Sequence, residues 1–600
     1  MPEQFLDYQT FTGIRNELAK YAEEKLNLSS NAYKIFEEVY LKNLESGDKE
    51  TVPYRMAAVA VDIASADMKY LPQDMPQEEK IQRVRERART NLEMYVTNEF
   101  RANTPTNINM GRWEPEYNRD GELTGVYHQL SQLGSACFVL PVEDTFGKSV
   151  ENLQDGILEA WVTQQQVHKG GGGTGFSFQR LRPKGSLIGY NPAVDGMRSI
   201  NWEGGRGVSS GYESFLEHDF NASTDAVKQG NSRRGANMGI QRIDHMDFLD
   251  HMFAKFGRDK HRKERRMKNF NLSVAVTDEF MEAVENDGTY TLYNPLRAKP
   301  DNKRVLQKKY GVQNPEIVRK EDLATRSQFE EILKKNEKNT FNPLTTPNMY
   351  IDNDGTTVVN AYNGESIGII IDGEVKIYAR KIFETFAKLS HSNGEPGMVF
   401  LDRMNEFNPN LFDEEIEATN PCGEQPLPPY DACNLGSINL GKFVRYEVYE
   451  KPEDAELAMK GDEFAKSQIR KDGKIGVRRF DWNRLEEIIP NAARFLDNVI
   501  DRSDFPSKKI EQAVKQYRNT GLGFMGTWDA MVLMKMRYGS EESIKFAEKL
   551  GKVLHEGTMI ASQQLARERG AYPMYETSFH NPNSELYRWL MSNPKTIPDK

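Results

Sequence analysis

The sequence predicts an α/β protein in which a helical module at the start is followed by a mainly parallel sheet wound with helices. Three observations carry that prediction. Apolar residues recur at helical spacing through the first hundred or so positions, with charges between them. From about residue 130, short apolar strands alternate with helical stretches, the pattern of strand–helix–strand units. Between the two regimes lies the turn-rich run Asn103-Thr104-Pro105-Thr106-Asn107.

Taken in order, helices are expected over 12–26, 31–44 and 78–100, forming a module that props up the α/β region. Cys137-Phe138-Val139-Leu140-Pro141 reads as a short strand and turn, followed by a helix over 149–168 and a second strand over 175–178. Alternation resumes with a strand over 270–276 and a helix over 278–286, then strands at 398–402 and 433–440 and a helix over 482–499. Gly521-Leu522-Gly523-Phe524-Met525-Gly526 follows one helix and precedes another. The polar, lysine-rich stretch 297–340 and the charged stretch 451–477 read as inserted loops or surface helices, and the basic run 255–268 as a solvated helix face. No internal repeat is evident.

A chain of 600 residues can bury a large core, and by length it holds roughly three to five domains' worth of sequence, a prior that large barrels break. A charged fraction of 28% with 10% aromatics is that of a globular protein and excludes disorder as the main state. The formal charge of −10 argues against a protein that coats a nucleic-acid polymer, whereas a nucleotide monomer needs only one local pocket. Three cysteines are too few for a secreted disulfide scaffold. The start, Met1-Pro2-Glu3-Gln4-Phe5-Leu6-Asp7, lacks the basic and apolar regions of a signal peptide, and no run reaches the roughly 18 apolar residues of a membrane span. A cytoplasmic protein with no membrane partner is expected.

The chemistry concentrates around those cysteines. Two lie in Asn420-Pro421-Cys422-Gly423-Glu424-Gln425-Pro426-Leu427-Pro428-Pro429-Tyr430-Asp431-Ala432-Cys433-Asn434-Leu435-Gly436-Ser437-Ile438-Asn439-Leu440, and the third in Leu133-Gly134-Ser135-Ala136-Cys137. In an extended segment or loop alternate side chains face one way, so Asn420, Cys422 and Glu424 can converge on one ligand. A thiol oxidised to a thiyl radical abstracts hydrogen from an activated C–H bond, a carboxylate nearby serves as general base, and an amide holds a substrate oxygen. By themselves the residues leave other readings open: a buried cysteine can be a small hydrophobe, and cysteines can hold metal. The spacing lacks C-x-x-C and no histidine lies close in sequence, so neither a metal site nor a thioredoxin-like role is expected.

The run 420–440 resembles the active-site signature of ribonucleotide reductase catalytic subunits, most closely those of the adenosylcobalamin-dependent class, in which Asn-Pro-Cys-Gly-Glu-Gln-Pro-Leu is typical. The second redox cysteine follows the first by only eleven residues, less than is usual in the diiron-dependent class. The resemblance spans about 102–574 and implies a ten-stranded α/β barrel of two half-barrels with a radical-cysteine loop in its centre. It implies domains at 1–105, the helical module, and 106–600, a barrel whose second half is incomplete. Cys422 is then the thiyl carrier, Glu424 the base, Asn420 a substrate-binding amide, and Cys137 and Cys433 the reducing pair that becomes a disulfide. Thr106 in the Thr-Pro-Thr-Asn segment, Ala136, and Gly173 in Gly170-Gly171-Gly172-Gly173-Thr174-Gly175-Phe176 are implied substrate contacts. That glycine run is no P-loop, since no Gly-Lys-Ser/Thr follows.

Gly230-Asn231-Ser232-Arg233-Arg234-Gly235-Ala236-Asn237-Met238-Gly239 is similar to the family's second specificity loop, 185–207 covers the first, and Asp144 matches a residue near the effector. Asp144, Arg233 and Arg234 are thus the implied binding residues for dNTP or ATP effectors. The resemblance further implies adenosylcobalamin, a homodimer, a ribonucleotide substrate and a thioredoxin-type reductant. The family's Pro-Thr-Gly-Thr-Ile-Ser phosphate loop and C-terminal cysteine pair are not found here, nor is a C-terminal glycyl-radical motif or an amino-terminal ATP cone. A separate polypeptide that completes the barrel is therefore expected, against a truncated or disrupted gene product. The alternatives to a cobalamin-dependent reductase are a class I large subunit served by a separate radical-generating subunit, and a non-catalytic protein that binds nucleotide effectors.

Overall fold

The structure, a computed structural model, describes residues 5–26, 28–41, 49–120, 122–130, 133–147, 152–153, 155–186, 209–229, 233–256, 267–295, 317–336 and 345–592. It is an α/β fold with a helical N-terminal region and a curled half-barrel sheet. The chain divides into two compact units, each made of discontinuous stretches: residues 1–136 with 432–573, and 137–431 with 574–600.

The first unit begins with the helices Tyr8–Lys25, Ser30–Tyr40, Val52–Ser65 and Gln77–Val96. Three of these match the helical spacing of the sequence, though the last stops four residues short and Phe100 enters a strand instead. Helix Val52–Ser65 has no amphipathic stripe, because thirteen of its fourteen residues are buried. A helix apolar all round belongs inside a core, where the neighbouring helices cover every face. Its start is fixed by Thr51, whose hydroxyl accepts the Tyr54 amide at 3.3 Å, and by Pro53 in the first turn. The run at 103–107, read as a turn, is helix Thr104–Asn109, with the Asn103 side chain accepting the Thr106 amide at 2.9 Å.

Strand Phe100–Ala102 pairs antiparallel with Ala432–Asn439, which pairs in parallel with Thr520–Met525. Against these packs helix Trp482–Arg502, which buries Leu485, Ile488, Ile489, Ala492, Phe495, Leu496 and Val499 at spacings of three and four. Phe495 lies 5.3 Å from Phe100 and 5.8 Å from Tyr95, ring centre to ring centre, so strand and helices share one aromatic cluster. Charge buried beside this packing is paired: Arg502 reaches Asp62 at 2.7 Å, and both are buried. The stretch 451–477, expected as loop or surface helix, holds the surface helix Pro452–Met459 but also the strand Lys466–Ile469, and leads into strand Ile475–Phe480. The two strands join Val444–Tyr449 in an antiparallel sheet. Cross-strand pairing between charged residues, such as Glu447 with Arg479, hides the usual apolar alternation of a strand.

The second unit is built on five parallel strands in chain order: Cys137–Leu140, Gly173–Ser177, Asn237–Arg242, Phe270–Val276 and Gly397–Phe400. Helix Ile157–Lys169 makes the first crossover, starting eight residues later than the sequence suggests. The first three strands are buried at every position, as expected when both faces of a parallel sheet are covered. Between the last two strands the chain inserts a six-stranded sheet, antiparallel except at the Ala324–Thr325 edge, which the strand–helix alternation does not announce. Of the predicted insertion at 297–340, the described part, 317–336, supplies that edge strand and helix Arg326–Lys335; the rest, and most of the basic run 255–268, lies outside the described residues.

Replacing Phe495 by alanine removes an aromatic side chain shared by helix and strand, and should cost about 3–5 kcal/mol. A urea unfolding curve of the variant, followed in the transition of the first unit, checks it; a loss below about 1 kcal/mol would contradict a core centred on that cluster.

Candidate active site

The second unit carries most of the residues singled out by the sequence. Ala418–Thr419 pairs antiparallel with Pro426–Leu427, and the six residues between them form the tip of a tight hairpin. Asn420 closes that tip three times: its amide donates to Gln425 O at 3.1 Å, its carbonyl accepts from Gly423 N at 3.1 Å, and its side-chain Oδ1 accepts from Gln425 N at 2.9 Å. Gly423 takes φ +85°, a conformation glycine adopts without a side-chain penalty. Of the extended segment or loop expected from the spacing, the structure has the loop, a tight turn in which Asn420 is buried while Cys422 and Glu424 are exposed.

The hairpin lies directly on the sheet. A Cβ on Gly175 would sit 1.7 Å from the Thr419 carbonyl oxygen, and one on Gly173 would sit 2.7 Å from Pro421 Cγ. These two glycines of the 170–175 run thus let the hairpin backbone approach the strand. Two strands along the sheet, on Phe270–Val276, Asn271 donates its side-chain N–H to the Pro421 carbonyl at 2.7 Å, next to Cys422. Asn271 carries no signal in the sequence, because one asparagine in a strand makes no pattern.

Three of the expected residues meet here. The Asn420 Nδ2 donates to Cys137 Sγ at 3.0 Å, and Cys137 Sγ lies 3.8 Å from Glu424 Oε1. Cys137 is buried at the head of its strand, whereas Cys422 sits exposed at the hairpin tip. All three cysteines are thiols, with no disulfide among them. Such a group can hold a polar ligand by the Asn420 amide, move a proton at Glu424, and present one accessible and one sheltered thiol.

Behind the sheet, Thr174 and Gln164 both reach Asn237 Oδ1, at 2.7 and 2.8 Å, and Thr174 Oγ1 lies 3.3 Å from His168 Nε2. Burial pushes the His168 pKa down to about 4, so the ring is neutral near pH 7. Beyond the strand that starts at Gly173, Arg180 reaches Glu417 and Glu143, two carboxylates that no pattern in the chain connects. Burial works against the Arg180 charge, but those carboxylates outweigh it and hold its pKa above the ordinary value.

In the first unit, Thr106, Ala136 and Cys433 come together. The buried Thr106 hydroxyl lies 2.9 Å from the Gly134 carbonyl, the Ala136 amide donates to Cys433 O at 3.3 Å, and Cys433 Sγ lies 3.2 Å from Asn434 O. Ser135, between Gly134 and Ala136, buries a hydroxyl with no hydrogen-bond partner among the described residues. A buried polar atom in that state is the kind of signal that marks a ligand position, and it emerges only from the structure.

The candidate effector residues lie in the second unit. Asp144 accepts from Arg182 Nε at 2.9 and 3.0 Å and from the Arg182 amide at 3.2 Å. Arg233 and Arg234 form a two-residue strand paired with Lys228–Gln229, with the Arg234 side chain exposed and that of Arg233 outside the described residues. Of the first loop, 187–207 lies outside the described residues, while its start is joined to Ser209, just beyond its end, by Gly185 N to Ser209 O at 2.9 Å and Ser209 N to Ser186 O at 2.8 Å. Among the described residues no cluster of metal-ligating side chains is found, and no helix is long and apolar enough to cross a membrane.

The profile of the family "Ribonucleotide reductase, barrel domain" matches residues 135–596. The chain is 32% identical over 477 residues to a vitamin B12-dependent ribonucleoside-diphosphate reductase of Thermoplasma acidophilum, covering 80% of this chain and 43% of that protein. It is 29% identical over 558 residues to one of the same name from Mycobacterium tuberculosis, covering 92% of this chain and 58% of that one. To the ribonucleoside-diphosphate reductase subunit alpha of Chlamydia pneumoniae it is 24% identical, over 76% of this chain and 34% of that subunit. The chain spans about half the length of the vitamin B12-dependent relatives it matches.

A methyl group at Gly175 must displace the hairpin, so Gly175→Ala should lower the thermal midpoint by several degrees and speed alkylation of the buried Cys137 thiol. Gly523→Ala, where nothing lies within 4 Å, serves as the control and should change neither. Equal behaviour of the two variants would refute the close packing.

Proposed function

This chain belongs to the ribonucleotide reductase family, and on that premise we propose that it carries the radical-bearing site of a cobalamin-dependent reductase of ribonucleoside diphosphates. The observation that carries this reading is the convergence of Asn420, Glu424 and Cys137 at a hairpin whose tip presents Cys422. Higher identity to the vitamin B12-dependent relatives than to the alpha subunit favours the cobalamin class over one served by a separate radical subunit.

In this reading Asn420 holds a ribose oxygen while Glu424 takes the proton of the 3′-hydroxyl. The Cys422 thiyl removes the 3′-hydrogen and returns it at the end of the cycle. Two thiols, Cys137 and Cys433, together give two electrons and two protons; the C2′–O bond breaks, the hydroxyl leaves as water, hydrogen takes its place, and the two sulfurs end as a disulfide. Adenosylcobalamin, when bound, supplies the carbon radical that takes the hydrogen atom of the Cys422 thiol. The exposure of Cys422, against the burial of Cys137 and Cys433, suits a thiol that must be reached by a large cofactor. Thr106, Ala136 and Gly173 serve as substrate contacts, and Asp144, Arg233 and Arg234 as the dNTP or ATP effector site of a homodimer. The phosphate loop and the cysteine pair that re-reduces the site are not found in these 600 residues, and the reading requires both, on this polypeptide or on a further one that completes the barrel. A thioredoxin-type protein is the external reductant.

The test is reduction of CDP with adenosylcobalamin by this chain, with and without a polypeptide corresponding to the remaining length of its relatives. Cys422→Ser should abolish turnover, and Glu424→Gln should slow it by about 10²–10⁴, the usual contribution of a positioned general base. Without added reductant, one deoxynucleotide should form per site, and peptide mass spectrometry should find Cys137 joined to Cys433. Turnover that survives Cys422→Ser would exclude the reading.

A further inference from the structure

We propose that Arg180 is a positioning residue for the radical-cysteine hairpin, locking the strand that leads into Asn420 to the segment that carries Asp144. The proposal rests on the reductase reading for the hairpin's role, and on side-chain geometry alone for the lock itself.

Arg180 lies three residues beyond the strand Gly173–Ser177, in a turn whose backbone is fixed by Phe178 N to Ile240 O at 3.0 Å and Leu181 N to Phe178 O at 3.1 Å. Its guanidinium grips Glu417 with three contacts: Nε to Oε2 at 2.9 Å, Nε to Oε1 at 3.0 Å, and Nη2 to Oε1 at 2.9 Å. Through Nη1 the same group also donates to Glu143. Glu417 is buried and immediately precedes the hairpin strand Ala418–Thr419, so its side chain anchors the backbone three residues before Asn420. Glu143 is anchored in turn by its amide, which donates to Asp155 O at 2.8 Å, and it neighbours Asp144 in its pair with Arg182. One planar cation thus joins two carboxylates from segments 274 residues apart.

A planar fork on a carboxylate fixes orientation as well as distance, which a point charge does not. The hairpin needs such a hold, because its own ladder is only two residues long on each side and its tip is exposed. Thr419 and Pro421 rest on glycines that offer no side chain to grip. Asn271 holds the backbone beyond Asn420 at the Pro421 carbonyl; on the entering side the strand is held by Asn405, which clamps the Ile416 backbone at 2.8 and 2.9 Å, and by Arg180 on the next residue. Asn405 fixes where the chain enters, and Arg180 fixes the face it turns to the sheet.

The test is amide hydrogen exchange on the full chain, read on peptides covering 418–427 and, for comparison, the strand 237–242. Arg180→Gln should speed exchange across 418–427 about tenfold while leaving 237–242 unchanged, because the lost bonds are charge-assisted and local. Glu417→Gln should give the same pattern, the double variant should be no faster than either alone, and Arg180→Lys should recover only part of the protection. In the reductase assay Arg180→Gln should lower kcat about tenfold, with KM within twofold, as expected when geometry at the reacting centre is loosened. Unchanged exchange at 418–427, additive single variants, or loss of protection spread evenly over both regions would overturn the proposal, as would an unaltered kcat. If the wild-type chain turns over no nucleotide under any condition, the reductase reading fails, and the exchange pattern still decides the lock.

Discussion

The second unit depends on how closely a hairpin can approach a parallel sheet. Thr419 and Pro421 come to rest where side chains on Gly173 and Gly175 would otherwise stand, and a single methyl at Gly175 would occupy the position of a carbonyl oxygen. Steric exclusion of that kind has no soft alternative, since the obstacle is backbone and cannot rotate away. Everything that gathers at the tip follows from it. With the strand this close, the Asn420 side chain reaches Cys137 at the head of the neighbouring strand, and Glu424 approaches the same sulfur from the other side of the turn.

The polar groups around this hairpin serve two ends. Asn420 satisfies its own turn with its side-chain oxygen and directs its nitrogen to a sulfur, which couples the shape of the loop to the position of a thiol. Asn271 and Arg180 hold the backbone on either side, one through a carbonyl and the other through a buried carboxylate. A loop held by side chains from the sheet can carry an exposed thiol at its tip while its base stays fixed. In the proposed reductase reading that combination keeps the sulfur in place while the hydrogen atom is removed and returned.

Much of the fold is legible in the linear chain, and what is not has identifiable causes. The amphipathic helices at 8–25, 30–40 and 77–96 announce themselves by their stripes, whereas Val52–Ser65 does not, because burial on every side erases the stripe. The strand at 475–480 is hidden by cross-strand charge pairs with 444–449, and the strand at 466–469 by its polar residues, which in a linear sequence look like a solvated loop. The six-stranded insertion is hard to see because its strands are short and its edges fall in polar stretches. Arg180 and Glu417 are separated by 237 residues, and nothing local to either one marks it as half of a pair.

Residue type and order alone establish the chemical inventory: the three cysteines, the Asn-x-Cys-x-Glu spacing, the glycine run and the family to which they belong. Those properties survive in an unfolded chain. Folding was needed to decide between an extended segment and a loop in favour of a tight turn, and to show that Asn420 is buried while Cys422 is exposed and that the glycines at 173 and 175 make room for the hairpin itself. Close approach and burial depend on what packs back onto a segment from hundreds of residues away. No local pattern records that.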